Sequence, residues 1–171
     1  MANTYTLIAS NTLSLSAASV TFSSIPGTYT DLVLKISARS DSSASAVGIT
    51  YNSNTGTTHS RTLLFGNGTS ALSINETGLT YVSLSYTGNP STYTTSTFSN
   101  TEVYVPNYAG STNKVASVFS TTENNSTTSF IGASAGLWQN TSAITQMVIA
   151  FPGGSNFVSG SSFWLYGIKK N

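Results

Sequence analysis

The sequence predicts an all-β, single-domain β-sandwich, and three observations support this prediction. Apolar and polar residues alternate with a period of two in many short runs, as in strands that bury one face. Segments rich in Gly, Pro, Asn and Ser separate these runs. No segment repeats apolar residues at helical spacing. A length of 171 residues suits one such domain with a hydrophobic core.

The first three predicted strands lie before residue 40. Residues 4–8 and 20–22 consist of Thr, Tyr, Leu, Ile, Val and Phe, which include residue types that favour extended backbone. Pro26 and Gly27 then mark a turn. Residues 32–39 alternate Leu, Leu, Ile and Ala with Val, Lys, Ser and Arg, so this strand is expected to be half-buried.

The middle of the chain contains shorter runs. Strands are expected at 47–51, 61–65, 72–76 and 81–86. Residues 66–68 (Gly-Asn-Gly) form a turn between the second and third of them. Residues 87–97 contain only Thr, Gly, Asn, Pro, Ser and Tyr and are expected to form a long exposed loop.

The second half is more regular. The remaining strands are predicted at 98–105, 115–121, 128–138, 143–151 and 163–168. Because the runs at 72–76 and 81–86 are weaker than the others, we expect about eight to eleven short antiparallel strands in one domain, which favours a jelly roll. The domain is expected to span residues 1–171, with residues 1–15 as an extended N-terminal arm.

Charged residues are scarce in this chain. They make up 6% of it, against about 25% in a typical soluble domain. The net charge is +1 and the cations do not cluster, whereas binding a phosphate backbone needs several clustered cations. No apolar run approaches the length of a membrane span, and the first residues lack the basic segment of a signal peptide. We therefore expect no nucleic-acid or membrane partner, and synthesis in the cytoplasm without a signal peptide.

Residues that could perform catalysis are few. His59 is the single histidine, cysteine is absent, and the five carboxylates have no evident partners in the sequence. His59 is expected in an exposed loop, without the orienting group and nucleophile that a catalytic histidine needs. Calcium held by loop asparagines (Asn52, Asn54, Asn124, Asn125) is an open alternative. The sequence otherwise predicts a protein that is not an enzyme and that has no cofactor or metal.

Aromatic residues are the candidates for binding. Exposed Tyr and Trp side chains give large, rigid contacts with a polar end. Tyr93, Tyr108 and Trp138 lie in or near predicted loops or strand ends, so they are the candidate interface residues. Tyr104, Trp164 and Tyr166 are expected in the core and rim of the sandwich.

Five segments carry a resemblance to a known group of proteins. They are residues 5–8 (Tyr-Thr-Leu-Ile), 22–32, 104–110 (Tyr-Val-Pro-Asn-Tyr-Ala-Gly), 135–138 (Ala-Gly-Leu-Trp) and 165–169 (Leu-Tyr-Gly-Ile-Lys). With these segments the chain resembles small virion structural proteins of tailed bacteriophages, especially those of marine hosts. The similarity spans nearly the whole chain and is weakest over residues 40–97.

The resemblance implies a jelly-roll subunit on a phage particle. The expected function is that of a capsid decoration (cement) protein, a homotrimer that binds the major capsid protein on the outer surface of the virion. Many modest contacts would then act together to hold the shell. The alternative is a tail-fibre or receptor-binding module in which the loop 87–97 recognises a host-surface glycan. The resemblance supplies no functional residues.

Overall fold

Two antiparallel sheets form the fold in the computed structural model, which describes residues 4–84, 88–125 and 129–169. The chain is an all-β sandwich, as predicted. Twelve strands occur in this part of the chain: β1 (Tyr5–Thr12), β2 (Ser19–Phe22), β3 (Asp31–Ser37), β4 (Gly48–Tyr51), β5 (His59–Gly66), β6 (Ala71–Leu79), β7 (Val82–Ser83), β8 (Asn100–Pro106), β9 (Lys114–Thr122), β10 (Phe130–Trp138), β11 (Met147–Ala150) and β12 (Ser162–Ile168).

Eight of these strands have the connectivity of a jelly roll. The large sheet has the order β1-β12-β3-β8-β9-β10-β5-β6, and the small sheet has the order β2-β11-β4-β7. Strands β1, β2, β3 and β4 therefore pair with β12, β11, β8 and β7, as if one long hairpin had been folded into two sheets. This nesting is the arrangement expected for a jelly roll.

The other four strands extend the large sheet beyond the jelly roll. Strands β9 and β10 continue from β8 as a meander, and the hairpin β5–β6 is inserted between β4 and β7. The short strand β7 packs against β5 and β10. Gly136 of β10 lies directly beneath Val82 of β7, where a Cβ atom would overlap the valine side chain. The missing side chain thus permits the close approach of the two sheets.

The core lies between the sheets. Leu32, Leu34 and Ile36 of β3 face Ile49 and other apolar residues, and all of them are fully buried. Val33 is also buried, although it lies on the opposite face of β3. It stands between Tyr104 and Tyr166 in the strand register, which explains its shielding on an otherwise exposed face.

The predicted strands correspond to observed ones, with two clear differences in extent. The strand predicted over 143–151 contains only β11, because Asn52 binds the preceding segment. The Asn52 side chain donates to the Ala143 carbonyl (2.8 Å) and accepts from the Thr145 amide (2.8 Å), so these groups are engaged outside the strand ladder. Of the strand predicted over 81–86, the described residues 81–84 contain only β7. Residues 85–87 and 126–128, which include parts of predicted elements, lie outside the described residues.

Residues 5–12 are an edge strand rather than a free arm. They pair with β12 from Tyr5 opposite Ile168 to Thr12 opposite Ser162. Residues 1–3 of the expected arm lie outside the described part of the chain. Most side chains of β1 are at least partly exposed, so the alternation of burial that marks a strand in a sequence is weak there.

Candidate functional site

The outer face of the large sheet, which points away from the small sheet, carries the candidate site. Neighbouring strands place one row of side chains across it at the same level. From β5 to β12 this row contains Leu64, Ala133, Phe119, Glu102, Lys35 and Trp164. Because residues in such a row are directly opposite one another, their side chains can act together.

A polar groove lies on one side of Phe119. Its volume is 260 Å³ and it is lined by Lys35, Asn100, Glu102, Phe119 and Thr121. The Lys35 ammonium donates a hydrogen bond to the Glu102 carboxylate at 2.6 Å, and each side chain is about half exposed (49% and 48%). This hydrogen bond raises the pKa of Lys35. The groove thus combines one ion pair, an amide, a hydroxyl and an aromatic ring.

A larger, mostly apolar groove of 440 Å³ lies on the other side of Phe119. The central strands contribute small side chains here, namely Ser117, Ala133 and Ala135, while Leu64 and Tyr104 stand on the flanking strands. The groove therefore exists because small side chains on the central strands lie between larger side chains on the flanking strands. Leu64 and Phe119 are among the exposed apolar residues of the protein, at 59% and 54%.

Tyr104 is fixed at the edge of the apolar groove. Its hydroxyl donates to the Asp31 carboxylate at 2.9 Å, and the other oxygen of Asp31 accepts from the Asn107 amide at 2.9 Å. Burial, together with this bond to Asp31, raises the pKa of Tyr104. Tyr104, Trp164 and Tyr166 are half-buried on the outer face rather than in the core between the sheets, and of the three only Tyr104 lines a groove of the site.

Two of the three predicted interface residues lie in the core instead. Tyr108 and Trp138 are 0% and 1% exposed. The Tyr108 hydroxyl donates to the Pro26 carbonyl, and the Trp138 ring packs 5.5 Å from the Tyr51 ring, measured between centroids. The prediction was wrong for these two side chains, because a position near a strand end says nothing about which face the residue occupies.

The third predicted interface residue, Tyr93, is half-buried and stacks on Phe130 with centroids 6.2 Å apart. Residues 91, 92 and 94–96 of its loop are exposed, whereas residues 88–90 and 97 are buried. The buried Arg39 side chain holds this loop. The guanidinium donates to the carbonyls of Ser91 (3.1 Å), Tyr93 (2.8 Å) and Thr94 (2.7 Å), and also to Thr97. Residue 87 of the predicted loop lies outside the described residues.

His59 is also buried, contrary to the prediction of an exposed loop histidine. It begins β5, is 1% exposed and lies opposite Trp138 of β10. Burial lowers the pKa of His59. Among the described residues, no three His, Cys, Asp or Glu side chains are grouped so that they could hold a metal ion. The Asn52 and Asn54 side-chain oxygens accept hydrogen bonds from backbone amides of their own or nearby loops.

Sequence reasoning missed Phe119 as a site residue. In β9 the exposed positions carry Val115, Ser117 and Phe119, and the buried positions carry Ala116 and Val118 among others. Both faces are similarly apolar, so alternation alone could not tell them apart. Lys35 and Glu102 were recognised as strand residues, but only the pairing of β3 with β8 brings them together.

The described part of the chain contains no helix of the length and apolarity that crossing a membrane requires. No protein-family model and no curated protein matches the chain. A solved structure with a similar backbone is galectin LEC-6 of Caenorhabditis elegans, at a TM-score of 0.43 and 10% sequence identity. The match covers 91% of this chain and 94% of that chain. This finding contradicts the predicted function of a phage capsid decoration protein, because the similar structure is a galectin and not a virion protein.

Proposed function

We propose that the protein is a non-catalytic carbohydrate-binding module and that the polar groove beside Phe119 is its binding site. One observation carries this proposal. The exposed ring of Phe119 and the Lys35–Glu102 ion pair line the same small groove. Aromatic surface and convergent polar groups in one concavity are typical of a ligand site.

The chemistry of the groove matches that of a sugar. A pyranose ring has an apolar face of C–H groups and a rim of hydroxyls that both donate and accept hydrogen bonds. Phe119 offers a flat apolar surface for the C–H face. Lys35 donates, Glu102 accepts, and the Asn100 amide and Thr121 hydroxyl can do both.

The charge of the groove favours neutral sugars over acidic ones. Lys35 and Glu102 neutralise each other at 2.6 Å. The whole chain carries a net charge of only +1, so no positive field attracts a polyanionic glycan. We therefore propose neutral hexoses or their oligosaccharides as ligands.

The same groove offers little support for glycoside hydrolysis. That reaction generally needs two carboxyl groups on opposite sides of the scissile bond. Among the described residues that line the polar and apolar grooves, Glu102 is the only carboxylate. This carboxylate already accepts a hydrogen bond from Lys35.

A glycan array followed by calorimetry tests the proposal. We expect neutral oligosaccharides to bind and acidic ones to be disfavoured. Phe119→Ala and Lys35→Met should each weaken binding at least about tenfold, the effect of losing one stacking or charged contact. Val115→Ala is the matched control, because Val115 is also exposed on β9 but does not line the polar groove. The absence of glycan binding, or binding that Phe119→Ala leaves unchanged, would overturn the proposal.

A further inference from the structure

The free edge of the large sheet at β6 points to a second copy of this chain as its partner. We infer that two copies pair through their β6 strands, antiparallel and about a two-fold axis, to join their large sheets. Strand β6 is nine residues long and has one neighbour, β5, so one side of its backbone has no strand partner in the described part of the chain. Such an edge is a template for another strand.

The other sheet edges have features that hinder pairing. Strand β1 has a register shift between Leu7 and Ala9, and β2 and β7 are only four and two residues long. Strand β6 pairs with β5 in regular register from Ala71 to Glu76, and its own register shift lies beyond this stretch, between the pairs of Arg61 and His59. It contains no Lys or Pro, the residues that commonly protect an edge. Its one charge, Glu76, is already paired with Arg61.

Two apolar side chains of β6 are exposed although they lie on the face of the large sheet that covers the core. Leu72 and Ile74 lie opposite the buried residues Phe65 and Leu63 of β5, yet they are 41% and 38% exposed. The small sheet ends at β7, which packs against β5 and β10, so its cover does not extend as strongly to β6 at the edge of the large sheet. A partner that covered this apolar area would remove it from water, which stabilises the complex.

The sequence of β6 is self-complementary about Ser73. In an antiparallel pair centred on this residue, Leu72 of each copy lies opposite Ile74 of the other, so four apolar side chains form one cluster. Glu76 then lies opposite Ser70 of the other copy, which avoids placing like charges together. These two conditions select the Ser73-centred register.

The dimer would also complete a groove at the edge of the sheet. A groove of 480 Å³ is lined by Leu64 of β5, Ile131 of β10, and Leu72 and Ser73 of β6, so it extends to the edge strand. A partner strand closes this side and makes the two outer faces continuous. Two copies of the polar groove then lie on one surface, which allows bivalent binding.

Single-cysteine variants test the register. The chain has no cysteine, so Ser73→Cys introduces the only thiol. Directly opposite residues of an antiparallel pair have Cα atoms about 4.5–5.5 Å apart, a distance that a disulfide can bridge. We expect mild oxidation to link two Ser73→Cys chains covalently. Ser10→Cys, at the β1 edge of the same sheet, is the control that should remain unlinked.

Light scattering after size-exclusion chromatography tests the dimer itself. The wild-type protein should have twice the chain mass across a concentration series, and Ile74→Lys should have the mass of one chain with an unchanged circular dichroism spectrum. Phe119→Ala should remain dimeric, which separates this inference from the proposed sugar site. A monomeric wild-type protein would overturn the inference, as would a dimer that Ile74→Lys leaves intact or that fails to link through Ser73→Cys.

Discussion

The imidazole ring of His59 stacks on the indole ring of Trp138, with ring centroids 6.2 Å apart and planes 12° from parallel. The two residues are direct neighbours across β5 and β10. Burial lowers the pKa of His59, and backbone groups of Leu79 and Gly56 offset only part of this effect. On the other side of Trp138, its direct neighbour on β9 is the buried Lys114. A lysine carries no negative charge, so it does not stabilise a protonated His59.

The stability of the protein should therefore fall in mild acid. The unfolded chain takes up the histidine proton near its usual pKa of about 6.5, whereas the folded protein takes it up at lower pH. The free energy of unfolding is therefore highest above about pH 6.5 and decreases progressively as the pH falls toward the pKa of His59 in the folded protein. Urea unfolding between pH 8 and pH 5 measures this loss, and His59→Gln should remove most of the pH dependence. An equal slope in the variant would show that other groups cause it.

Arg39 should control the order of the loop that contains Tyr93. Its guanidinium donates to five acceptor atoms on four residues of the segment 91–97, and Arg39 is 7% exposed. Arg39→Lys keeps the charge but cannot reproduce the planar set of donors. We expect a loss of about 2–4 kcal/mol in unfolding free energy, because partly buried carbonyls lose their donors.

Hydrogen exchange detects the same effect locally. Amides of residues 91–97 should exchange faster in Arg39→Lys than in the wild-type protein. Lys35→Met is the control, since Lys35 is an exposed cation on the preceding strand and does not contact this loop in the hydrogen bonds of the structure. Unchanged exchange in Arg39→Lys would mean that the loop is held by other contacts.

A side chain at position 136 should destabilise the protein as long as Val82 is present. A Cβ atom at position 136 overlaps Val82 Cγ1, so Gly136→Ala should cost about 1–3 kcal/mol through overpacking. Val82→Ala removes the overlapping methyl groups, and in the double variant part of this cost should disappear. Gly153→Ala is the control, because no atom lies within 4 Å of its added Cβ. Additive costs in the Gly136 and Val82 variants would contradict the packing argument.

Tyr108 should contribute to stability through its hydroxyl group. Tyr108→Phe keeps the buried ring but leaves the Pro26 carbonyl without this donor. The unfolding free energy should fall by about 1–2 kcal/mol, as for the loss of one buried hydrogen bond. Tyr5→Phe, at an exposed ring, should change it by much less. Similar losses in both variants would argue against the bond to Pro26.

The fold was largely predictable because burial leaves a clear pattern in some strands. Residues 32–39 overlap β3, an interior strand of the large sheet, and Leu32, Leu34, Ile36 and Ala38 are buried as their alternation predicts. Val33 and Arg39 are buried as well, which the alternation does not predict. The insertion of β5–β6 between two jelly-roll strands was not predictable. Local alternation indicates a strand but does not identify its neighbours, and the extended sheet arises from pairing between distant segments.

The site was less predictable than the fold. The residues that carried the resemblance to virion proteins include Phe22, Tyr108, Trp138 and Leu165, all of which are buried. Such residues form the core, so they indicate a β-sandwich but do not specify what its surface binds. The polar groove depends instead on Lys35, Glu102 and Phe119, which come from three strands and meet only through the sheet register.

Strands β1 and β12 bring the two ends of the described chain side by side. The Lys169 amide donates to the Thr4 carbonyl, next to the pairing of Tyr5 with Ile168. A short linker between these ends would leave both strands in place, and the chain could be reopened at the exposed turn of residues 152–154. The resulting circular permutant would turn the pairing of β1 with β12 into a local hairpin. Because contacts between distant residues slow folding, the permutant should form this part of the large sheet earlier than the natural connectivity does.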